Sequence, residues 1–209
     1  MFGRFVGAVF VGLALTVSAT SAFAAAAVVG SVTKIQGGCT GLNEAVSRNL
    51  AVKAQIHQGE VVSTAGNARL EITFVDGTKL TLGEKAKLTI DSFVFTPTEP
   101  GSQLSVGVTG AFRFVSGQMT KIADSTVTVT TPVATLGVRG TNFWGGPING
   151  ATGVVLFEGQ VSVATSAGIS LLNRPGVGVD IARAGVAPNA VTVWPAAKVA
   201  RALATVTFR

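Results

Sequence analysis

The sequence has one cysteine, one histidine, no tyrosine and only 10 acidic residues in 209. A lone thiol, Cys39, closes no intramolecular disulfide, so stability has to come from packing. Its neighbours Gly37, Gly38 and Thr40 supply nothing to activate it, which points to an inert thiol; an intermolecular disulfide is the alternative in an oxidising compartment. With no cluster of His, Cys, Asp and Glu at ligand spacing, a transition-metal site is not expected. A serine triad would have to use His57, yet no Gly-x-Ser-x-Gly segment accompanies it, so His57 reads as a surface or turn residue before Gly59. Gly137-Val138-Arg139-Gly140 lacks the Lys-Ser/Thr ending of a phosphate loop and is not a dinucleotide fingerprint. A carboxylate pair for glycoside hydrolysis stays open in principle. However, Glu71, Asp76, Glu84 and Asp91 sit at turn or solvent-facing positions, where a solvated charge is expected. No catalytic, cofactor-binding or metal residue is assigned.

Charge is sparse but basic, with 16 Lys and Arg and a net charge of +6. The cations are scattered and not interleaved with aromatics, which argues against nucleic acid as a partner. They serve solubility or attraction to an acidic envelope surface. The longest apolar run lies at the start. Arg4, the run Phe5 to Val17 and the ending Ser21-Ala22-Phe23-Ala24 follow the layout of a secretory signal with cleavage after Ala24. An uncleaved anchor is the alternative. Cleavage leaves no expected membrane span and implies a periplasmic or secreted protein.

What is abundant is glycine, valine and threonine. Leu70 to Phe74, Leu80 to Leu82, Leu88 to Ile90, Val127 to Val129 and Val161 to Val163 alternate apolar and polar residues. A period of two puts one face on a core and one in solvent. Turn signals such as Asp76-Gly77, Ser116-Gly117, Asn149-Gly150 and Glu158-Gly159 punctuate these runs. At Asp76-Gly77, a three-residue loop from Val75 to Gly77 pairs Ile72 with Leu80 and Leu70 with Leu82, keeping one face apolar. Gly77 then takes the left-handed position of a bulged hairpin. Gly77, Gly117 and Gly159 share an apolar-x-x-Gly context and recur at a rung-like spacing. Phe93 to Ser105, with Pro97 and Pro100, reads as an exposed excursion. After Pro188, Pro195 opens a short helix with Val199, Leu203 and Val206 on one face, suited to capping an open end of the β-structure; docking a partner is the alternative. The expected fold is all-β, a solenoid-like or rolled stack of short strands with a short C-terminal helix.

Thr131-Pro132-Val133-Ala134-Thr135-Leu136-Gly137-Val138-Arg139-Gly140-Thr141-Asn142-Phe143 is the most distinctive stretch. Leu136, Val138 and Phe143 around Arg139 suggest a partly buried guanidinium paired with Glu158 or Asp76 and locking a turn; ligand binding is the alternative role. The stretch resembles the signature of FecR-type periplasmic domains. Gln58 to Gly66, Arg69 to Gly83 and Val154 to Val163 are similar to further segments of that family, in order, within Val29 to Ile181. The resemblance implies an all-β, solenoid-like periplasmic module. In FecR-type sensors this module relays the occupancy of an outer-membrane transporter to a cytoplasmic sigma factor. Here the secretion signal starts at Met1, no internal membrane helix follows and only a short tail succeeds Ile181. What is expected to carry over is fold and compartment, not the iron-signalling relay.

The expected organisation is a signal peptide at 1–24, a FecR-like all-β domain at 25–185 and a tail with a capping helix at 186–209. Asp76, Gly77, Gly137, Arg139, Gly140, Thr141, Glu158 and Gly159 are assigned as a structural motif. The function expected is a non-enzymatic binding or sensing module for a protein or cell-envelope component, without a cofactor. A surface-assembly protein pairing through β-edges, and hence homo-oligomeric, is the first alternative. An enzyme acting on envelope polysaccharide is the second.

Overall fold

A computed structural model describes Gly3 and residues 26–209; apart from Gly3, the expected signal segment and its cleavage point lie outside the described residues. Sixteen strands make one continuous sheet. The first ten are β1 (Val28–Gln36), β2 (Cys39–Asn43), β3 (Val46–Asn49), β4 (Gln55–His57), β5 (Val61–Thr64), β6 (Arg69–Phe74), β7 (Lys79–Leu82), β8 (Lys87–Val94), β9 (Gln103–Thr109) and β10 (Phe112–Val115). A short 3-10 turn at Met119–Lys121 precedes β11 (Thr126–Thr130), β12 (Thr135–Ile148) and β13 (Ala151–Thr165). The chain ends with β14 (Gly168–Leu172), β15 (Val177–Ile181), β16 (Thr192–Val193) and one helix, α1 (Ala196–Ala204).

The sheet is rolled into two arms that meet on β12. One arm runs β3-β2-β5-β8-β9-β11 and pairs with the first part of β12; the other runs β4-β1-β6-β7-β10 and pairs with its second part. Strand β13 lines the opposite side of β12 along almost its whole length. The chain passes repeatedly from one arm to the other, at 37–38, 50–54, 58–60, 65–68, 83–86, 110–111 and 116–125. That repeated crossing is the solenoid-like element of an all-β fold, as expected. Pairing is antiparallel throughout except between β9 and β11, which are joined by way of β10 and the 3-10 turn.

The alternating residues set the core. Leu70, Ile72 and Phe74 from one arm face Leu88, Ile90, Leu104 and Val106 from the other, all in one buried cluster. Phe74 stacks on Phe93 across the arms with ring centroids 5.6 Å apart. Each fully buried side chain of this size contributes roughly 1.5–3 kcal/mol. The hairpin register is the expected one: Leu70 opposes Leu82 and Ile72 opposes Leu80, with Gly77 at φ 84°. The proline-bearing excursion is narrower than expected. Strand β8 continues to Val94 because Phe93 reaches the core, so only 95–102 forms the loop.

Helix α1 covers a sheet face, not an open end. Trp144 lies next to core residue Phe143 on β12 and so points outward. There it packs with Ala111, Ile148, Val155, Trp194, Ala202 and Val206 in a second buried cluster. Trp144 Nε1–H donates to Thr205 Oγ1 at 3.0 Å. Lys198 pairs with Asp180 and lies 3.7 Å over the Trp194 ring. An aromatic on the outer face of a strand has to be covered, and the helix covers it.

Candidate functional site

The motif glycines Gly77, Gly140 and Gly159 come together with Gly117 along one edge of the roll. Gly77 sits in the β6–β7 turn, and Gly117 follows β10 beside it. A Cβ on Gly117 would lie 2.3 Å from Thr78 N, so no side chain fits there. Further along, Ser116 N–H donates to the Thr141 carbonyl and Thr141 N–H donates to Ser116 Oγ, each at 2.8 Å. Gly140 and Gly159 then face each other at the bend of the β12–β13 ribbon, with φ of 56° and 77°. The apolar-x-x-Gly echo therefore marks neighbouring bends of the chain.

Asp76 is not a solvated charge. It is fully buried and accepts hydrogen bonds from Thr78 N–H, Thr78 Oγ1–H and Met119 N–H at 3.0, 2.7 and 3.3 Å. Its backbone carbonyl accepts from Gln118 N–H. Thr78 Oγ1 in turn accepts from Gly117 N–H at 3.0 Å. One carboxylate thus ties the β6–β7 turn to the segment after β10. Buried carboxylates persist when such donors replace water.

Arg139 differs from expectation in the opposite sense. It is exposed, and among the described residues it makes no ion pair with Glu158 or Asp76. The period of two explains this: Leu136 and Val138 point into the core, so Gly137 and Arg139 point out. Glu158 is likewise exposed beside the bend, flanking a cavity of about 240 Å³ with Lys121, Gly140 and Thr141. Thr141 is buried, and its Oγ1 has no partner among the described residues.

Arg139 lines a shallow groove of about 260 Å³ on the outer face of the first arm. Gly137 forms its floor between Thr128 and Ser162, and a Cβ there would fall 2.6 Å from Ser162 Oγ. Gln160 lies opposite Arg139, and the buried Ser125 Oγ, without a partner among the described residues, stands at one end. The groove runs toward β14, which pairs only with β13 and leaves Ile169 and Leu171 exposed. Donors, acceptors and an open strand edge are the features by which a sheet binds an extended polar partner.

Other buried charges escaped the sequence reading. Glu60 is fully buried, receives Arg48 at 2.7 and 3.0 Å, and accepts from His57 N–H at 2.9 Å. His57 Nδ1 lies 3.3 Å from the same carboxylate, so this residue belongs to a lock between β3, β4 and β5. Cys39 is buried, its thiol donates weakly to the Arg69 carbonyl, and burial raises its pKa above the ordinary 9.0. Among the described residues no group of three or more His, Cys, Asp or Glu is placed to hold a metal ion. No described helix is long and apolar enough to cross a membrane.

A family model described as FecR protein matches residues 60–162. No curated protein matches the chain. Two crystal structures of a candidate anti-sigma factor from Parabacteroides distasonis ATCC 8503 share the fold, each with a TM-score of 0.56 and 17% identity. The similarity covers 68% of this chain but only 64% and 63% of the length of those two structures.

Proposed function

We propose that the protein, whose residues 60–162 match the family model described as FecR protein, works by binding, as an exported sensing module. Its partner is a protein or cell-envelope component received on the outer face of the first arm. The observation that carries this reading is the placement of Arg139. The most distinctive stretch of the sequence spends its apolar residues on the core and sets its one charge over a polar groove, next to an unpaired strand edge. Site-specific photo-crosslinking tests it. A photoreactive residue at Ile169 should give one discrete adduct in intact cells, lost in Arg139→Glu, while the same residue at Val94 gives none. Equal labelling at both positions, or labelling indifferent to Arg139→Glu, refutes the reading.

A second reading, assembly of copies through their edges, is favoured by the exposed Val46 on β3, Ile169 on β14 and Val193 on β16. Sedimentation velocity over a concentration series separates the two, because edge pairing predicts a mass that rises with concentration. Export itself is tested by cell fractionation and N-terminal sequencing, with a mature protein starting at Ala25 expected outside the cytoplasm.

A further inference from the structure

Among the described residues, Arg69 is a buried cation without a counter-ion. It is 5% exposed and starts β6, where Leu70, Ile72 and Phe74 face the core and Arg69 faces the opposite side. Its Nη1 donates to the Ala68 carbonyl at 2.7 Å, while Nε has no acceptor among the described residues. The carboxylates nearby in sequence are engaged elsewhere. Glu71 serves Thr33 and Lys34, and Glu84 accepts from Asn67 N–H at 2.8 Å. A desolvated guanidinium left this way is costly unless something anionic completes it.

The cavity beside Arg69 supplies the place. It measures about 440 Å³ and lies between the 83–86 and 110–111 crossings on one side and the end of α1 with the last residues on the other. Lys85, Arg201 and Arg209 line it together with Arg69, against one acidic side chain, Glu84. Thr205, whose Oγ1 holds Trp144, stands at its wall.

We propose that this cavity is an oxyanion site that takes a phosphate group, with the Arg69 guanidinium at its base and Arg201, Arg209 and Lys85 closing over it. Four cationic side chains facing one acidic side chain suit a dianion better than a monoanion, and the guanidinium fork matches two phosphate oxygens. Because Arg69 starts β6 and Lys85 lies in the turn between β7 and β8, while Arg201 comes from the helix, a bound phosphate bridges the sheet side and the helix. The site is separate from the Arg139 groove and stands whether or not that groove binds a partner.

Calorimetric titration of the full chain with inorganic phosphate, at fixed ionic strength in chloride, tests the proposal. Phosphatidylcholine vesicles with and without phosphatidic acid form a second arm. Saturable binding in either arm is expected, weakening as salt rises. It should fall by about tenfold or more in Arg69→Met and in Arg201→Ala, the loss of one charge-assisted hydrogen bond. Binding in the first arm marks a free phosphate, and binding only to phosphatidic acid vesicles marks a lipid headgroup. Arg201 is exposed, so its variant keeps the test open if Arg69→Met does not fold. No binding in either arm, or binding untouched by Arg201→Ala, overturns the proposal.

Discussion

Replacing Asp76 by alanine should be among the most damaging single changes in this chain. The substitution removes the acceptor for Thr78 N–H, Thr78 Oγ1–H and Met119 N–H in a site closed to solvent. Thr78 Oγ1 can turn elsewhere, but the two backbone donors cannot. A buried donor left unpaired costs roughly 1–3 kcal/mol, so the pair gives about 2–6 kcal/mol. Domains of this kind are stable by roughly 5–15 kcal/mol, so this is a large share of the total. Asp76→Asn keeps one carbonyl acceptor and should lose less. Urea unfolding followed by circular dichroism measures both, and the midpoint should fall at constant slope. If Asp76→Ala unfolds within about 0.5 kcal/mol of the parent, the carboxylate is not the tie described here.

Gly178→Ala places a Cβ 2.6 Å from both Trp194 Nε1 and the Val154 carbonyl. Overpacking of this kind costs about 1–3 kcal/mol, and tryptophan fluorescence should shift to the red as α1 loosens. Arg139→Ala should leave the melting temperature unchanged, since an exposed charge with no ion pair among the described residues contributes within about 0.5 kcal/mol, while the crosslink at Ile169 disappears. Cys39 should resist alkylation until the fold opens. Because its folded pKa is raised, the stability gained from the neutral thiol is intact below pH 9.0 and is lost as pH rises through the higher folded value. A thiol titration that starts earlier in the folded than in the unfolded protein contradicts this.

The period of two made the strands and the β6–β7 register readable, because one buried face leaves a single pairing that keeps apolar residues together. The helix was legible from Pro195, but its role was not. The signal lay in Phe143-Trp144, two adjacent large aromatics in a strand, which require a cover on both faces. Asp76 and Arg139 were read in reverse. A carboxylate beside a turn glycine looks solvated until the segment after β10 is folded against it. An arginine among apolar residues looks buried until alternation is applied to Gly137 and Arg139 as well. Glu60 and Arg69 were missed because their burial depends on neighbours from other strands, the hairpin β2–β3 and the last residues of the chain, which no local pattern reports.

The β12–β13 ribbon has a consequence for how the chain is completed. Strands β10 and β11 each wait for β12, and both are matched by that single strand. Until residues beyond 135 are available, each arm ends in a row of unpaired amides. A nascent chain at that stage is two half-structures with raw margins. The same late clasp shuts both at once, so shortening it by a few residues would leave the protein unfinished on two sides.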